Sequence, residues 1–522
     1  MAIVFDHTAL LGGSYWTGDS ESGQSTFVTY SMPRIAPGHL SETYTAAQLD
    51  TWVPFEATAQ AQAEFAIDAL EAITGLQFLE VETGGDVTFQ WIDFDTIAGM
   101  GSAAGFAFFP GTYSQGGATD DTASAIGGDV FLNAALSLDY TAWTEILLHE
   151  LGHAMGLEHP FEGENVLADQ LDNEQQTVMS YTDVPSFDAL QYGPLDIDAL
   201  EAIYGRPGDF GAHLSGWAWN AATAQLSQTG TAGGDDIQGT SAIDIIKGLD
   251  GADTLTGYAG DDFLSGQDGD DYGHGGQGHD QIFMGAGRDT AEGGDGNDEI
   301  GGGDGDDTLR GDAGDDTLYG GAGADDLYGG TGRNVIWAGT GADAITQFSN
   351  HVGDDILGGG AGGDTIFAGD GNDILYGGKG DATTNADRLI AGDGADTIFA
   401  GNGADSLFGG TGNDLLFGGA GNDQISGNEG DDTLWGGAGD DYMWGDFGAD
   451  VFAFVPGSGR DTIGDLDAGA DHLDLTAYGL SPSALSASLS SSLSGVTITL
   501  DAQSSVFVFD ASEADIQSIA LL

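Results

Sequence analysis

Gly302-Gly303-Asp304-Gly305-Asp306-Asp307-Thr308-Leu309-Arg310 is one unit of a nine-residue pattern, Gly-Gly-x-Gly-x-Asp-x-apolar-x, that runs through the middle of this chain. Units start at 248, 257, 266 and onward by nines to 338. The register slips over 347–358, resumes at Gly359, slips again over 381–390, and then holds from Ala391 to Ala453. Slips of this kind mark surface loops. A strict short period is the signature of stacked units that bury an apolar column only against their neighbours.

Composition agrees with that reading. The 522 residues carry 9 Lys and Arg against 85 Asp and Glu, a formal charge of −76, and 91 of them are glycine. A compact body with this charge repels itself unless cations neutralise it. A nucleic-acid partner is disfavoured, because phosphate contacts need Lys and Arg. Glycine with aspartate points to tight turns bearing carboxylate ligands, which is calcium chemistry. There is no cysteine, so any zinc site must use His, Asp, Glu or Tyr. The N-terminus has no cationic start followed by an apolar run and does not read as a cleaved signal peptide. No apolar stretch of roughly 18 residues is present, so no membrane insertion is expected.

Four regions follow. Residues 1–205 read as a mixed α/β domain, with helices over 56–73, 139–155 and 196–204 and strands near 77–81, 86–91 and 129–133. In the first helix Phe65, Leu70 and Ile73 share a helical period. Residues 206–247 read as a linker, 248–453 as the repeat array, and 454–522 as an all-β cap.

The second decisive stretch is His149-Glu150-Leu151-Gly152-His153-Ala154-Met155-Gly156-Leu157-Glu158-His159-Pro160. On a helix, residues four apart share a face, so His149 and His153 can point at one ion. Glu150 is placed to take a proton from a water held there. Leu147, Leu151 and Ala154 would face the core. Gly156 can end the helix with a positive φ, and the returning chain lets His159 complete three protein ligands. Three ligands leave the open coordination of a catalytic zinc site.

The pattern HExxHxxGxxH, followed by Thr177-Val178-Met179-Ser180-Tyr181, resembles the metzincin zinc peptidases, and Pro160 resembles their serralysin branch. The stretch 193–205 is similar to the helix that closes serralysin catalytic domains. The resemblance implies an α+β metzincin-like catalytic domain. In it Met179 would form an apolar floor beneath the zinc. Tyr181 would be a further zinc-contacting phenol that stabilises the oxyanion. It also implies endopeptidase activity on protein or peptide substrates, with Glu150 as general base. The array is longer than is usual for that family, and the N-terminus leaves little room for an inhibitory propeptide.

The nonapeptide itself resembles the RTX calcium repeat, which builds an all-β parallel β-roll, two units to a coil. The resemblance implies that Leu255, Leu264, Leu309 and Leu318 point into a narrow core. Calcium would be held between turns by Asp253, Asp262, Asp271, Asp280, Asp289, Asp298, Asp307, Asp316, Asp325 and Asp343, and later by Asp364, Asp373, Asp396, Asp405, Asp414, Asp423, Asp432, Asp441 and Asp450. Asn334 should weaken one site, and Gly273 and Ala291, at apolar positions, should pack poorly. His274, His279 and His351 read as surface residues without a metal role. Calcium-driven folding fits export into a calcium-rich exterior; the resemblance implies a type I secretion apparatus reading a terminal signal, with which Ile519–Leu522 is compatible, and a monomer is expected. A second reading is a calcium-binding structural or adhesive surface protein with a vestigial peptidase domain.

Overall fold

The computed structural model describes residues 2–4, 27–32, 57–74, 76–81, 87–92, 105–107, 130–133, 140–155, 157, 165–167, 179, 192, 194–204, 214–347, 353–379 and 385–521. Contacts divide the chain into two compact units, Met1–Gly230 with Gln238–Ile245, and Thr231–Ile237 with Ile246–Leu522.

In the first unit, β1 (Ala2–Val4) pairs in parallel with β7 (Asn165–Leu167). A five-stranded sheet takes the order β3-β2-β4-β6-β5, from β2 (Phe27–Ser31), β3 (Gln77–Glu80), β4 (Val87–Ile92), β5 (Gly105–Ala107) and β6 (Val130–Asn133). Only the β5–β6 pairing is antiparallel. Helix α1 (Ala57–Glu71) buries Ala59, Ala63, Ala66, Ile67 and Leu70. These stand four, three, one and three residues apart, a single stripe of a 3.6-residue period, and the alanines let the helix approach closely. Phe65, expected on that face, lies off the stripe and is 40 % exposed. Helix α2 (Tyr140–Ala154) buries Leu147, Leu148, Leu151 and Ala154 in the same core, together with Val28, Val87, Phe89 and Val130 of the sheet. Helix α3 (Pro194–Tyr204) adds Leu195, Ala199 and Leu200.

The stretch expected as a linker contains strands. Gly216–Asn220 and Gln225–Thr229 form an antiparallel hairpin whose Leu226 is buried with Phe27 and Leu79. Trp217 stands edge-on to Phe27 at 5.0 Å, and Thr29 Oγ1 lies 2.8 Å from Ser241 Oγ.

The second unit is a parallel β-roll. Successive nonapeptides supply strands alternately to two sheets, and each residue pairs with the one a full coil away: Ile300 with Leu318, and Leu318 with Ile336. The eighth-position residues Leu255, Leu264, Ile282, Ile300, Leu309, Leu318 and Leu327 are fully buried. Gly305 has φ 144° and faces the carbonyl of Gly287 one coil back, so a side chain there would be strained and blocked.

The two slips are insertions, and the roll recovers sooner after each than the repeat pattern indicates. Val335 pairs with Ile356 and Thr365 with Arg388, which places Asp355 and Asp387 in the aspartate columns. Both lie outside a recognisable Gly-Gly-x-Gly unit, which is why sequence periodicity passes over them.

Gly273 does not leave a hole. The position where its Cβ would stand lies 2.9 Å from Met284 Sδ and 3.2 Å from Ile282 Cγ2. Met284 occupies a first position that is normally glycine, and its fully buried side chain fills the space. Ala291 is likewise fully buried.

On the outer face, Trp337, Tyr376, Phe399, Phe417 and Trp435 stack in sequence, with centroids 6.0, 5.4, 4.9 and 4.4 Å apart. The tail is not purely β. Arg460–Ile463 and His472–Asp474 extend the two roll sheets, and an antiparallel meander, Leu489–Ser492, Gly495–Thr499 and Ser505–Phe509, continues one of them. Two short helices accompany it, α4 (Pro482–Ser488), capped by Ser481, and α5 (Glu513–Ile519), opened by a Ser512–Asp515 capping box. Among the described residues no helix is long and apolar enough to cross a membrane.

Candidate active site and calcium columns

Helix α2 sets the first site. His149 and His153 are one helical turn apart, with ring centroids 4.9 Å apart and planes at 86°. His153 Nδ1 lies 2.7 Å from the carbonyl oxygen of Leu157. A carbonyl can only accept, so Nδ1 carries the proton and Nε2 keeps its lone pair for a metal. The carbonyl is available because the chain turns as the helix ends, with the Leu157 N–H donating to Gly152 O at 2.9 Å. Glu150 is buried, and burial pushes its carboxyl up to about 8. Two imidazoles with one tautomer fixed suit zinc, which takes nitrogen ligands in an open site.

Met179 is fully buried, and its Sδ would stand 2.8 Å from a Cβ built on Gly152. The methionine therefore lies against the backbone of α2 at Gly152, and glycine there makes room for it. His159, Tyr181 and Gly156 lie outside the described residues, as does His351. Among the described residues no three His, Cys, Asp or Glu side chains converge to hold an ion, so the described part of this site is the His149–His153 pair. Sequence reasoning missed Tyr192. Its buried hydroxyl donates to Leu148 O at 3.0 Å, tying α2 to the segment that leads into α3. A lone tyrosine carries no motif that would have flagged it.

The second set of sites is the pair of aspartate columns in the roll. All nineteen aspartates named from the sequence are 3 % exposed or less. One carboxylate oxygen is used structurally down each column: Asp280 Oδ1 accepts the Asp262 N–H at 2.8 Å, Asp298 Oδ1 that of Asp280 at 2.8 Å, and Asp316 Oδ1 that of Asp298 at 2.9 Å. The other oxygen, Oδ2 of Asp280, Asp298 and Asp316, is buried without a hydrogen-bond donor. It points to a definite place. A Cβ built on Gly275 would touch Asp280 Oδ2 and stand 2.7 Å from Gly293 O one coil on; on Gly302 it would touch Asp307 Oδ2 and stand 2.8 Å from Gly320 O. Carboxylate and carbonyl oxygens converging beside glycine make a donor set for a hard cation such as calcium. Burial pushes Asp280, Asp289 and Asp316 up to about 7. Holding them charged in the folded roll therefore needs positive charge nearby.

Asp355 and Asp387 fill the columns where the insertions fall, and Asp461 and Asp471 prolong them. One end of each column is closed by a protein donor: Asp235 Oδ2 accepts the Thr231 N–H at 2.6 Å, and Asp471 Oδ2 the Asp467 N–H at 2.7 Å. His279 is a rung on the outer side, its Nδ1 accepting the Asn297 N–H at 2.8 Å, and His274 lies 3.8 Å from Glu292 at the surface.

Comparison with known proteins gives the class first. Residues 41–192 match the matrixin peptidase family model, and segments from 229 to 452 match the model of the RTX calcium-binding nonapeptide repeat. The chain thus carries a matrixin domain followed by RTX calcium-binding repeats. The particular likeness is to Metallopeptidase AprA of Pseudomonas marginalis, 28 % identical over 203 residues, which cover 35 % of this chain and 41 % of that protein. The chain therefore spans about two fifths of this relative's length.

Proposed function

We propose that this chain is a secreted zinc endopeptidase, with His149, His153 and His159 as zinc ligands and a roll that folds on binding calcium outside the cell. The observation that carries the reading is the pair His149 and His153 on one face of α2, with the His153 tautomer set by Leu157 and Met179 packed against Gly152. Zinc, when bound, polarises the scissile carbonyl and lowers the pKa of water toward neutrality. Glu150 takes the proton from that water as it attacks the peptide and hands it to the leaving amine. Its burial keeps the carboxyl out of bulk solvent and suits it to hold a proton between those two transfers. Tyr181 donates its phenol to the developing oxyanion. The substrates are proteins or peptides, and export is of type I, with the roll folding once it meets calcium outside the cell.

The test is hydrolysis of casein by the calcium-loaded chain, with and without a zinc-selective chelator, and by Glu150→Gln. Hydrolysis should stop with the chelator and fall at least about 10³-fold in the variant. Full activity in Glu150→Gln refutes the assignment of the base. No hydrolysis by the intact chain with both metals present refutes the peptidase reading and favours the structural one.

A further inference from the structure

At one step of the roll the position that elsewhere takes a cation is lined by donors instead. A Cβ on Gly311 would touch Asp316 Oδ2 and stand 2.5 Å from Gly329 O, the oxygen pair seen throughout the column. One coil on, a Cβ on Gly329 would touch Gln347 Nε2 and Asn334 Nδ2. Both amides have their orientation fixed by the backbone. Asn334 Oδ1 accepts the Asp316 N–H at 3.0 Å, and Gln347 Oε1 accepts the Gly330 N–H at 3.1 Å. Because each oxygen is engaged by an N–H, each NH2 must face the other way, into the cation position. The sequence change behind this is double: Asn334 replaces the sixth-position aspartate, and Gln347 replaces the next first-position residue on that edge.

Other departures do not have this effect. Met284 and Ala338 also replace first-position glycines, yet their carbonyl oxygens still face the sites beside Gly266 and Gly320. The second insertion also keeps the site: a Cβ on Gly377 would meet Asp387 Oδ2 and Ala400 O. The amide pair is therefore specific to one step and is not a general result of insertions.

We infer that the step between Gly329 and Gln347 excludes calcium, its place being taken by the amides of Asn334 and Gln347, which divide that column into two separately metallated segments. Two NH2 groups present only positive hydrogen-bond poles, which repel a cation that needs six to eight oxygens. The Gln347 side chain also acts on Asp355 of the following coil, holding its carboxyl down against the larger rise from burial. The sequence-based expectation was a weakened site, whereas this arrangement is a closed one. The inference rests on the reading of the roll as a calcium binder.

The test uses the full calcium-loaded chain. Terbium-substituted crystals should give anomalous peaks beside Gly275, Gly293 and Gly311 and none beside Gly329. Asn334→Asp combined with Gln347→Gly should bind one more calcium per chain than the parent, measured by elemental analysis after gel filtration. A peak beside Gly329 in the parent, or an unchanged count in a folded double variant, overturns the inference. If the double variant does not fold, the parent's map decides. Peaks missing at every step would instead overturn the calcium reading of the roll, and this inference with it.

Discussion

Gly152→Ala is the sharpest single test of the site geometry. In an ordinary helix this change stabilises by about 1 kcal/mol, because alanine loses less backbone entropy than glycine. Here the new Cβ would stand 2.8 Å from Met179 Sδ, 3.7 Å from Met179 Cε and 3.4 Å from Leu157 Cδ1. Ordinary contact to sulfur needs nearly 1 Å more, and Met179 is fully buried with little room to withdraw. Overpacking of this kind costs about 1–3 kcal/mol, so the net change should be a loss of up to about 2 kcal/mol. A double-mutant cycle isolates the contact. With Met179→Ala already in place, Gly152→Ala should become neutral or stabilising by up to about 1 kcal/mol. The assay is the calorimetric transition of the first unit in the calcium-loaded chain, with casein hydrolysis measured alongside. Stabilisation by Gly152→Ala in the parent, or strict additivity in the cycle, would show that the sulfur does not lie against this helix.

Tyr192→Phe removes the second hydrogen bond to the Leu148 carbonyl, which keeps its partner in the α2 ladder, and should cost about 0.5–1.5 kcal/mol in the same transition, with no change if the hydroxyl is unused. Met284→Gly opens a space against Gly273 and should destabilise the roll by about 2–5 kcal/mol. Adding Gly273→Leu, which restores the repeat pattern at both positions, should recover most of that loss, as read from the calcium-loaded thermal midpoint. Removing calcium with a chelator should abolish the parallel-sheet circular dichroism of the roll, and adding calcium back should restore it. A roll that keeps its spectrum in chelator would mean the buried carboxylates are neutralised some other way.

The repeat period alone determined the roll, because each nonapeptide carries its own turn glycines, ligand and core residue, and neighbouring units repeat the same contacts. The i, i+4 spacing of His149 and His153 was likewise legible, since helical geometry is local. The short period could not reveal Asp355 and Asp387: they fall in line only because insertions of unrelated sequence return the chain to the same coil edge. Nor could it show that Met284 fills the space at Gly273 from the opposite sheet, or that Gln347 reaches the cation position beside Gly329. The packing of Met179 against Gly152, the reach of Tyr192 to Leu148 and the packing of Leu226 against Phe27 and Leu79 all join residues distant in the chain. Such contacts depend on volume and approach in three dimensions, which a one-dimensional pattern of residue types does not encode, and the tertiary structure alone decided them.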